Sequence, residues 1–428
     1  MTFNFHLFST QQSPGDGRGP LARFEQMVLR RPTLVRRVQW GMVAIYLALI
    51  VIPVMLPASQ GDALPLSDFV SLSRFLIWGL WWPFVVLSLV VFGRIWCGLL
   101  CPEGTIVRWL APKGGNRPVP KWMRFGGVPL LSFLGITIVG QLLEVDEDAR
   151  GQLIVLGGSS LAAAATAWIY SQRLWSWCRY LCPVSLLFGV FSRLGSLHFA
   201  VDRQRLRARC AVDASETKGP CPVGIHLPVL TTNRSCLMCF RCAGHHDAIH
   251  LGFRAPGEEL NRIDSAEPLL SEVIFLFGGA IGLPIGVFLG ERLELYGVKL
   301  VALLLASTFA AVAALGIVTL LAAWLLDAPR TTDSFVQLGY VYTPISLFSL
   351  FLGLSHPTFE VLSRLGASDT TGATVRMVLF FVGAAWSMRL TKHVVARQRT
   401  TPGRALASRI TLVSGISVIA TAWARVLF

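Results

Sequence analysis

The chain has 428 residues, of which 53% are hydrophobic and 14% are charged, and its formal net charge is +14. Soluble domains usually carry about 25% charged residues, so this composition excludes a water-soluble globular protein, a disordered chain and a collagen. Nine cysteines are too few for a secreted domain held together by disulfides. The sequence therefore predicts a polytopic α-helical membrane protein. Its positive charge indicates basic cytoplasmic loops, not binding to nucleic acid.

Nine apolar runs are each long enough to cross a bilayer as a helix. They cover residues 38–56, 75–93, 127–143, 152–170, 272–290, 300–326, 335–354, 374–390 and 410–428. Basic connections alternate with neutral or acidic ones such as residues 144–148. This alternation predicts a multi-pass protein of the bacterial cytoplasmic membrane whose N-terminus lies in the cytoplasm.

The distribution of charge divides the chain into four parts. Residues 1–37 form an arginine-rich cytoplasmic segment, and residues 38–192 form a four-helix membrane domain. Charged and turn-forming residues return in residues 193–269, which predict a small cytoplasmic insert with a ferredoxin-like α+β fold. Residues 270–428 form a second membrane domain of about five helices, whose purpose the sequence does not indicate.

The insert contains a C-x2-C-x2-C run at Cys236, Cys239 and Cys242. In ferredoxins such a run supplies three thiolate ligands to one [4Fe–4S] cluster, and a cysteine followed by proline elsewhere supplies the fourth. Cys221 precedes Pro222 and meets this requirement. We expect these four cysteines to bind one cluster.

The second ferredoxin half is incomplete, because Cys210 stands alone upstream and no Cys-Pro follows Cys242. Three alternatives stay open. Zinc could use the same four thiolates, or three of them with His245 or His246. Two clusters could persist with Cys210 and His246 as unusual ligands, or His246 could replace Cys221. We favour a single cluster, with Cys210 left over.

A C-x3-C-P motif occurs twice, at Cys97 and Cys101 and again at Cys178 and Cys182, each time at the end of an apolar run. On an α-helix, residues four apart share a face, so each motif predicts two sulfurs on one side. Together they could bind one metal ion or a second cluster, or act as redox-active dithiols. They could also be buried cysteines without a chemical role.

The C-terminal half offers weaker signals. His356 and His393 each lack a second histidine at the same depth, which disfavours haem. Tyr340 and Tyr342 suit an aromatic belt at the membrane surface, although a quinone pocket would use the same residue types.

These motifs resemble the membrane-bound polyferredoxin group that includes NapH-type quinol dehydrogenase subunits, the membrane half of NosR and the CcoG/FixG oxidase-assembly proteins. Three segments carry the resemblance: residues 93–104 (GRIWCGLLCPEG), residues 177–184 (WCRYLCPV) and the ferredoxin-like residues 209–251. It covers about residues 38–255, and the chain departs from it by losing one ferredoxin cluster and by adding five further membrane segments.

The resemblance implies transfer of electrons between the quinone pool, or a cytoplasmic donor, and a redox partner. An oxidoreductase component similar to a quinol dehydrogenase would fit this description. The alternative is a copper reductase or assembly factor that uses the C-x3-C-P thiolates, because thiolates are good ligands for Cu(I). None of the eight methionines clusters with these cysteines, which favours electron transfer.

Overall fold

The computed structural model describes residues 19–57, 67–115, 117–170, 174–212, 221–227, 230, 232–245, 248–262, 269–326, 331–366, 368–398 and 400–427. In chain order the α-helices are α1 (Pro20–Arg30), α2 (Pro32–Met55), α3 (Phe69–Arg74), α4 (Trp82–Phe92), α5 (Pro102–Leu110), α6 (Val128–Leu142), α7 (Ala149–Gln152), α8 (Gly158–Ile169), α9 (Pro183–Phe191), α10 (Arg203–Val212), α11 (Arg241–His245), α12 (Leu270–Ile274), α13 (Leu283–Arg292), α14 (Gly297–Leu325), α15 (Thr331–Gly339), α16 (Thr343–Leu354), α17 (His356–Arg364), α18 (Asp369–Ala396) and α19 (Pro402–Leu427). The strands β1 (Leu197–Val201) and β2 (Ile249–Phe253) pair antiparallel.

Eight continuous helical stretches within the described residues are long and apolar enough to cross a membrane. They are Pro32–Met55, Phe69–Phe92, Ala149–Ile169, Leu270–Arg292, Gly297–Leu325, Asp333–Leu354, Thr370–Ala396 and Pro402–Val426. Each coincides with one of the nine predicted runs. The remaining run, residues 127–143, forms the shorter apolar helix α6. The predicted fold class, a polytopic helical membrane protein, is thereby confirmed.

The chain forms two compact units. The first consists of residues 1–51, 88–129 and 156–259, and it contains all of the described cysteines. The second consists of residues 52–87, 130–155 and 260–428 and holds most of the C-terminal helices.

In the first unit, α1 packs on the sheet of the insert. The rings of Phe24 and Phe240 meet edge to face, with their centroids 6.0 Å apart. The carboxylate of Glu25, which is buried, accepts a hydrogen bond from the backbone N–H of Leu251 at 2.9 Å. Val28 joins the same apolar core. Part of the predicted N-terminal segment is thus a helix whose apolar face is covered by the insert.

The second unit has aromatic side chains in its interior. The Tyr340 hydroxyl donates a hydrogen bond to Glu272, and both residues are buried. The Tyr342 hydroxyl, also buried, donates to the carbonyl of Leu412 at 3.1 Å. The prediction of an aromatic belt at these two tyrosines is therefore wrong, because their hydroxyl groups are satisfied inside the helix bundle.

Candidate iron–sulfur sites

The four cysteines predicted to bind a cluster line one pocket of the first unit. We call Cys221, Cys236, Cys239 and Cys242 the insert site. Cys236 and Cys242 are buried, and the other two are half-buried. None of the eight described cysteines forms a disulfide.

The backbone around Cys239 is bent to wrap this cavity. Met238 and Phe240 have φ angles of 51° and 62°, in the left-handed region that residues other than glycine seldom adopt. Backbone N–H groups point at the sulfurs: Ile225 donates to Cys221 and Met238 to Cys236, each at 3.4 Å. Hydrogen bonds of this kind help to set the reduction potential of an iron–sulfur cluster.

Burial raises the pKa of the Cys236 thiol well above its ordinary value and that of Cys242 to about 12. The neighbouring thiols of the same site raise them further. With pKa values raised in this way the thiols stay protonated at neutral pH, and a bound cation would be needed to hold them as thiolates. Within the described residues, no three His, Cys, Asp or Glu side chains are close enough to hold a single metal ion. Cys221, Cys236, Cys239 and Cys242 line one pocket, and four cysteine thiols are the donor set that a [4Fe–4S] cluster takes.

Two of the residues named for the incomplete half lie wholly or partly outside what the structure describes. Cys210 lies on α10, but its side chain is outside what the structure describes, and His246 lies outside the described residues altogether. His245 ends α11 and is exposed.

The two C-x3-C-P motifs share one local geometry. Each pair begins in a single π-helical turn, Trp96–Leu100 or Trp177–Leu181, and its second cysteine is the residue before the proline that starts the next helix. The N–H of Cys101 bonds to the carbonyl of Trp96 at 2.8 Å, and that of Cys182 bonds to the carbonyl of Trp177 at 2.9 Å. The predicted α-helical face is thus replaced by a wider turn, because proline supplies no N–H for the usual ladder.

These four cysteines come together, and we call them the membrane-edge site. Burial raises the pKa of Cys101, and the nearby Glu103, Cys97 and Cys178 raise it further. The pKa of Cys182 is raised by burial and by the same groups. The N–H of Gly104 donates to the Cys101 sulfur at 3.3 Å. Each of the two sets of four cysteines thus has members that influence one another's pKa.

Glu103 joins the two motifs. Its carboxylate accepts hydrogen bonds from the Ser159 hydroxyl at 2.7 Å and from the Trp177 indole N–H at 2.9 Å. Trp177 directly precedes Cys178, so Glu103 connects the residue after one Cys-Pro to the start of the other motif. Glu103 is not among the predicted site residues; its one signal in the sequence is an acidic residue at the end of an apolar stretch.

The two sites are in direct contact. Gly98, between Cys97 and Cys101, packs so tightly that a Cβ atom there would lie 2.4 Å from the carbonyl oxygens of both Leu237 and Met238. Leu237 and Met238 lie between Cys236 and Cys239 of the insert site. The second motif is tied to the insert as well, because the N–H of Trp175 donates to the carbonyl of Pro222 at 2.7 Å.

A buried arginine hydrogen-bonds to residues near both cysteine sites. Arg94, only 3% exposed, donates to the carbonyl of Arg234 and, at 3.3 Å, to the hydroxyl of Ser185. The Ser185 hydroxyl in turn donates to the carbonyl of Cys178 at 2.9 Å. Arginine suits this position because its planar fork reaches two acceptors at once.

Comparison with known families points to the same residues. The 4Fe-4S binding domain family matches residues 75–120 and 155–201. Each matched segment contains one C-x3-C-P motif, and neither reaches the insert site.

The chain is also similar to ferredoxin-type proteins. It is 29% identical to the methylamine utilization ferredoxin-type protein MauN of Methylorubrum extorquens, over 29% of this chain and 48% of that protein. It is 27% identical to the ferredoxin-type protein NapH of Escherichia coli, over 35% of this chain and 58% of that protein. It is likewise 27% identical to the putative electron transport protein YccM of E. coli, over 37% of this chain and 50% of that protein.

The chain thus spans about half the length of these curated relatives. The predicted resemblance to the membrane-bound ferredoxin-type proteins is confirmed. No solved structure gives a significant match.

Proposed function

We propose that the chain is a membrane-bound electron-transfer protein that binds two [4Fe–4S] clusters. Cys221, Cys236, Cys239 and Cys242 hold one of them, and Cys97, Cys101, Cys178 and Cys182 hold the other. One observation carries the proposal: the turn between Cys97 and Cys101 packs directly on the loop between Cys236 and Cys239. Two redox sites in contact form a path for electrons, whereas a structural zinc site needs no such neighbour.

The residues fit this role. When bound, iron–sulfur clusters take up and release single electrons at potentials set by burial and by hydrogen bonds to sulfur. Trp175, Trp177 and Leu237 are buried in one apolar core that also contacts cysteines of both sites, and they keep water from this core. The match of the 4Fe-4S binding domain to both C-x3-C-P segments supports a cluster at the membrane-edge site.

The partners follow from the location. We propose that electrons pass between the quinone pool, or a cytoplasmic donor, and a redox partner protein, with both sites on the cytoplasmic side of the bilayer. The basic connections next to the cysteine motifs support this orientation. The similarity to NapH and YccM supports electron transport as the purpose.

Iron and acid-labile sulfide per chain, measured on anaerobically purified full-length protein, test the proposal. We expect about eight irons, from two clusters of four. Cys97→Ser and Cys236→Ser should each lower the count to about four, because each substitution removes a ligand from a different site. Cys210→Ser is the matched control and should leave the count unchanged, since we assign Cys210 to neither site.

Other results would contradict the proposal. Stoichiometric zinc or copper without iron would refute iron–sulfur electron transfer. About four irons, all lost in Cys236→Ser, would refute the cluster at the membrane-edge site. Loss of iron in Cys210→Ser would refute the proposed ligand set.

A further inference from the structure

Arg108 lies where the two sites meet. It is on α5, the helix that follows the first motif. One guanidinium nitrogen donates to the carbonyl of Gly98 at 2.8 Å, and the other donates to the side-chain oxygen of Gln39 at 3.1 Å. Gly98 is the residue that packs on the loop of the insert site, so Arg108 holds the turn that joins the two sites.

The guanidinium of Arg108 also contacts an aromatic ring shared with a second cation. It lies 4.9 Å from the ring centroid of Trp175, and the guanidinium of Arg241 lies 5.2 Å from the same ring. Trp175 is buried and lies three positions before Cys178 of the second motif, while Arg241 lies between Cys239 and Cys242 of the insert site. Two positive charges thus share one ring between the cysteine sets.

The charge of Arg108 acts on one thiol from each site. Burial and the neighbouring Arg241 lower the pKa of Arg108, whereas the sulfurs of Cys239 and Cys178 oppose this. Arg241 acts on Cys239 as well. An arginine keeps its charge in such a place, because its guanidinium is weakly hydrated and deprotonates only at very high pH.

We propose that Arg108 sets the reduction potentials of both clusters together. This rests on the proposed function, since it requires a cluster at each site. Each reduction adds one negative charge, and a fixed positive charge nearby, away from bulk water, favours the reduced form. One cation near both sites therefore raises both potentials, and removing its charge should lower both.

Redox titration of the full-length, detergent-solubilised protein tests this, with each cluster followed by its electron paramagnetic resonance signal. Arg108→Gln should shift both midpoint potentials to more negative values. Arg241→Gln should shift mainly the potential of the insert cluster. Lys113→Gln is the matched control: it also removes a positive charge just after α5, but Lys113 lies over the ring of Trp109 at 3.7 Å, and we expect neither potential to change.

A second variant separates the effect of the positive charge of Arg108 from the effect of its hydrogen bonds to Gly98 and Gln39. Arg108→Lys keeps the charge but loses the fork that reaches both Gly98 and Gln39. Potentials near those of the unmodified protein would support the proposal. Displacement of both potentials in Arg108→Lys would overturn it, because geometry and not charge would then be responsible. If Arg108→Gln loses iron, Arg108→Lys alone tests the proposal: unchanged potentials would support it, and displacement of both potentials would overturn it.

The iron count of the unmodified protein separates this inference from the proposed function. About four irons would refute the two-cluster function itself. Eight irons in Arg108→Gln, with both potentials unchanged or only one of them shifted, would refute the role of Arg108 and leave the function standing.

Discussion

Replacing Gly98 by alanine would insert a methyl group between the two cysteine-bearing loops. The new carbon would lie 2.4 Å from two backbone oxygens, those of Leu237 and Met238, and 2.6 Å from the carbonyl carbon of Met238. Ordinary van der Waals contact begins near 3.4 Å, so the loops would have to separate by about 1 Å. Both neighbours are backbone atoms and cannot move aside as a flexible side chain can.

The expected energy follows from two opposing effects. Overpacking of a tight contact typically costs about 1–3 kcal/mol. Alanine otherwise gains about 0.4–1 kcal/mol over glycine where the conformation is accessible, because it restricts the unfolded chain. Gly98 does not have a positive φ angle, so this gain applies. The net destabilisation should be about 1–2 kcal/mol and should be concentrated where the two sites meet.

The assay combines iron content with thermal loss of the cluster absorbance. We expect Gly98→Ala to bind less iron and to lose its clusters at a lower temperature than the unmodified protein. Gly126→Ala is the control in the same unit, since a Cβ at Gly126 meets no atom within 4 Å, and it should behave like the unmodified protein. Full iron content and an unchanged transition in Gly98→Ala would show that the sites do not depend on this contact.

Two further predictions concern the charges and thiols of the first unit. Glu259 is buried, lies 3.5 Å from Arg193, and also pairs with Arg254. Glu259→Ala would leave buried positive charge without its partner and should lower the free energy of unfolding by about 3–5 kcal/mol. Chemical unfolding measures this change, and a decrease below about 1 kcal/mol would contradict the prediction. In the cluster-free protein the pKa of Cys242 is raised from 9.0 to about 12, so the folded state binds more protons than the unfolded state between these values. Its stability should therefore fall as the pH rises from 9 towards 12, seen as a declining melting temperature, and a flat profile would refute the reasoning.

Much of the fold could be predicted because membrane segments and cluster-binding motifs can each be recognised from a short, continuous stretch of sequence. Runs of about twenty apolar residues identify membrane helices without knowledge of their neighbours. The spacing of Cys236, Cys239 and Cys242 indicates their chemistry in the same way. Their convergence with Cys221 on one cavity accords with the spacing, and the assignment of the ligands stays a prediction.

The rest depends on contacts between distant parts of the chain. Nothing near Gly98 in the sequence shows that Leu237 and Met238 will pack on it, and the links from Glu103 to Ser159 and Trp177 are equally remote. A tyrosine near the end of an apolar run has the same pattern whether it faces lipid or a buried carboxylate, which is why the prediction for Tyr340 was wrong.

The contact between Glu25 and Leu251 has a consequence for how the protein is made. Its two partners are 226 residues apart. At synthesis rates of roughly 5–20 residues per second, α1 leaves the ribosome about 10–45 s before the strand that covers it. During that interval the apolar face of α1, with Phe24 and Val28, has no partner from the insert. A newly made chain would therefore present a temporary binding surface for a chaperone, which closes only when β2 has been translated.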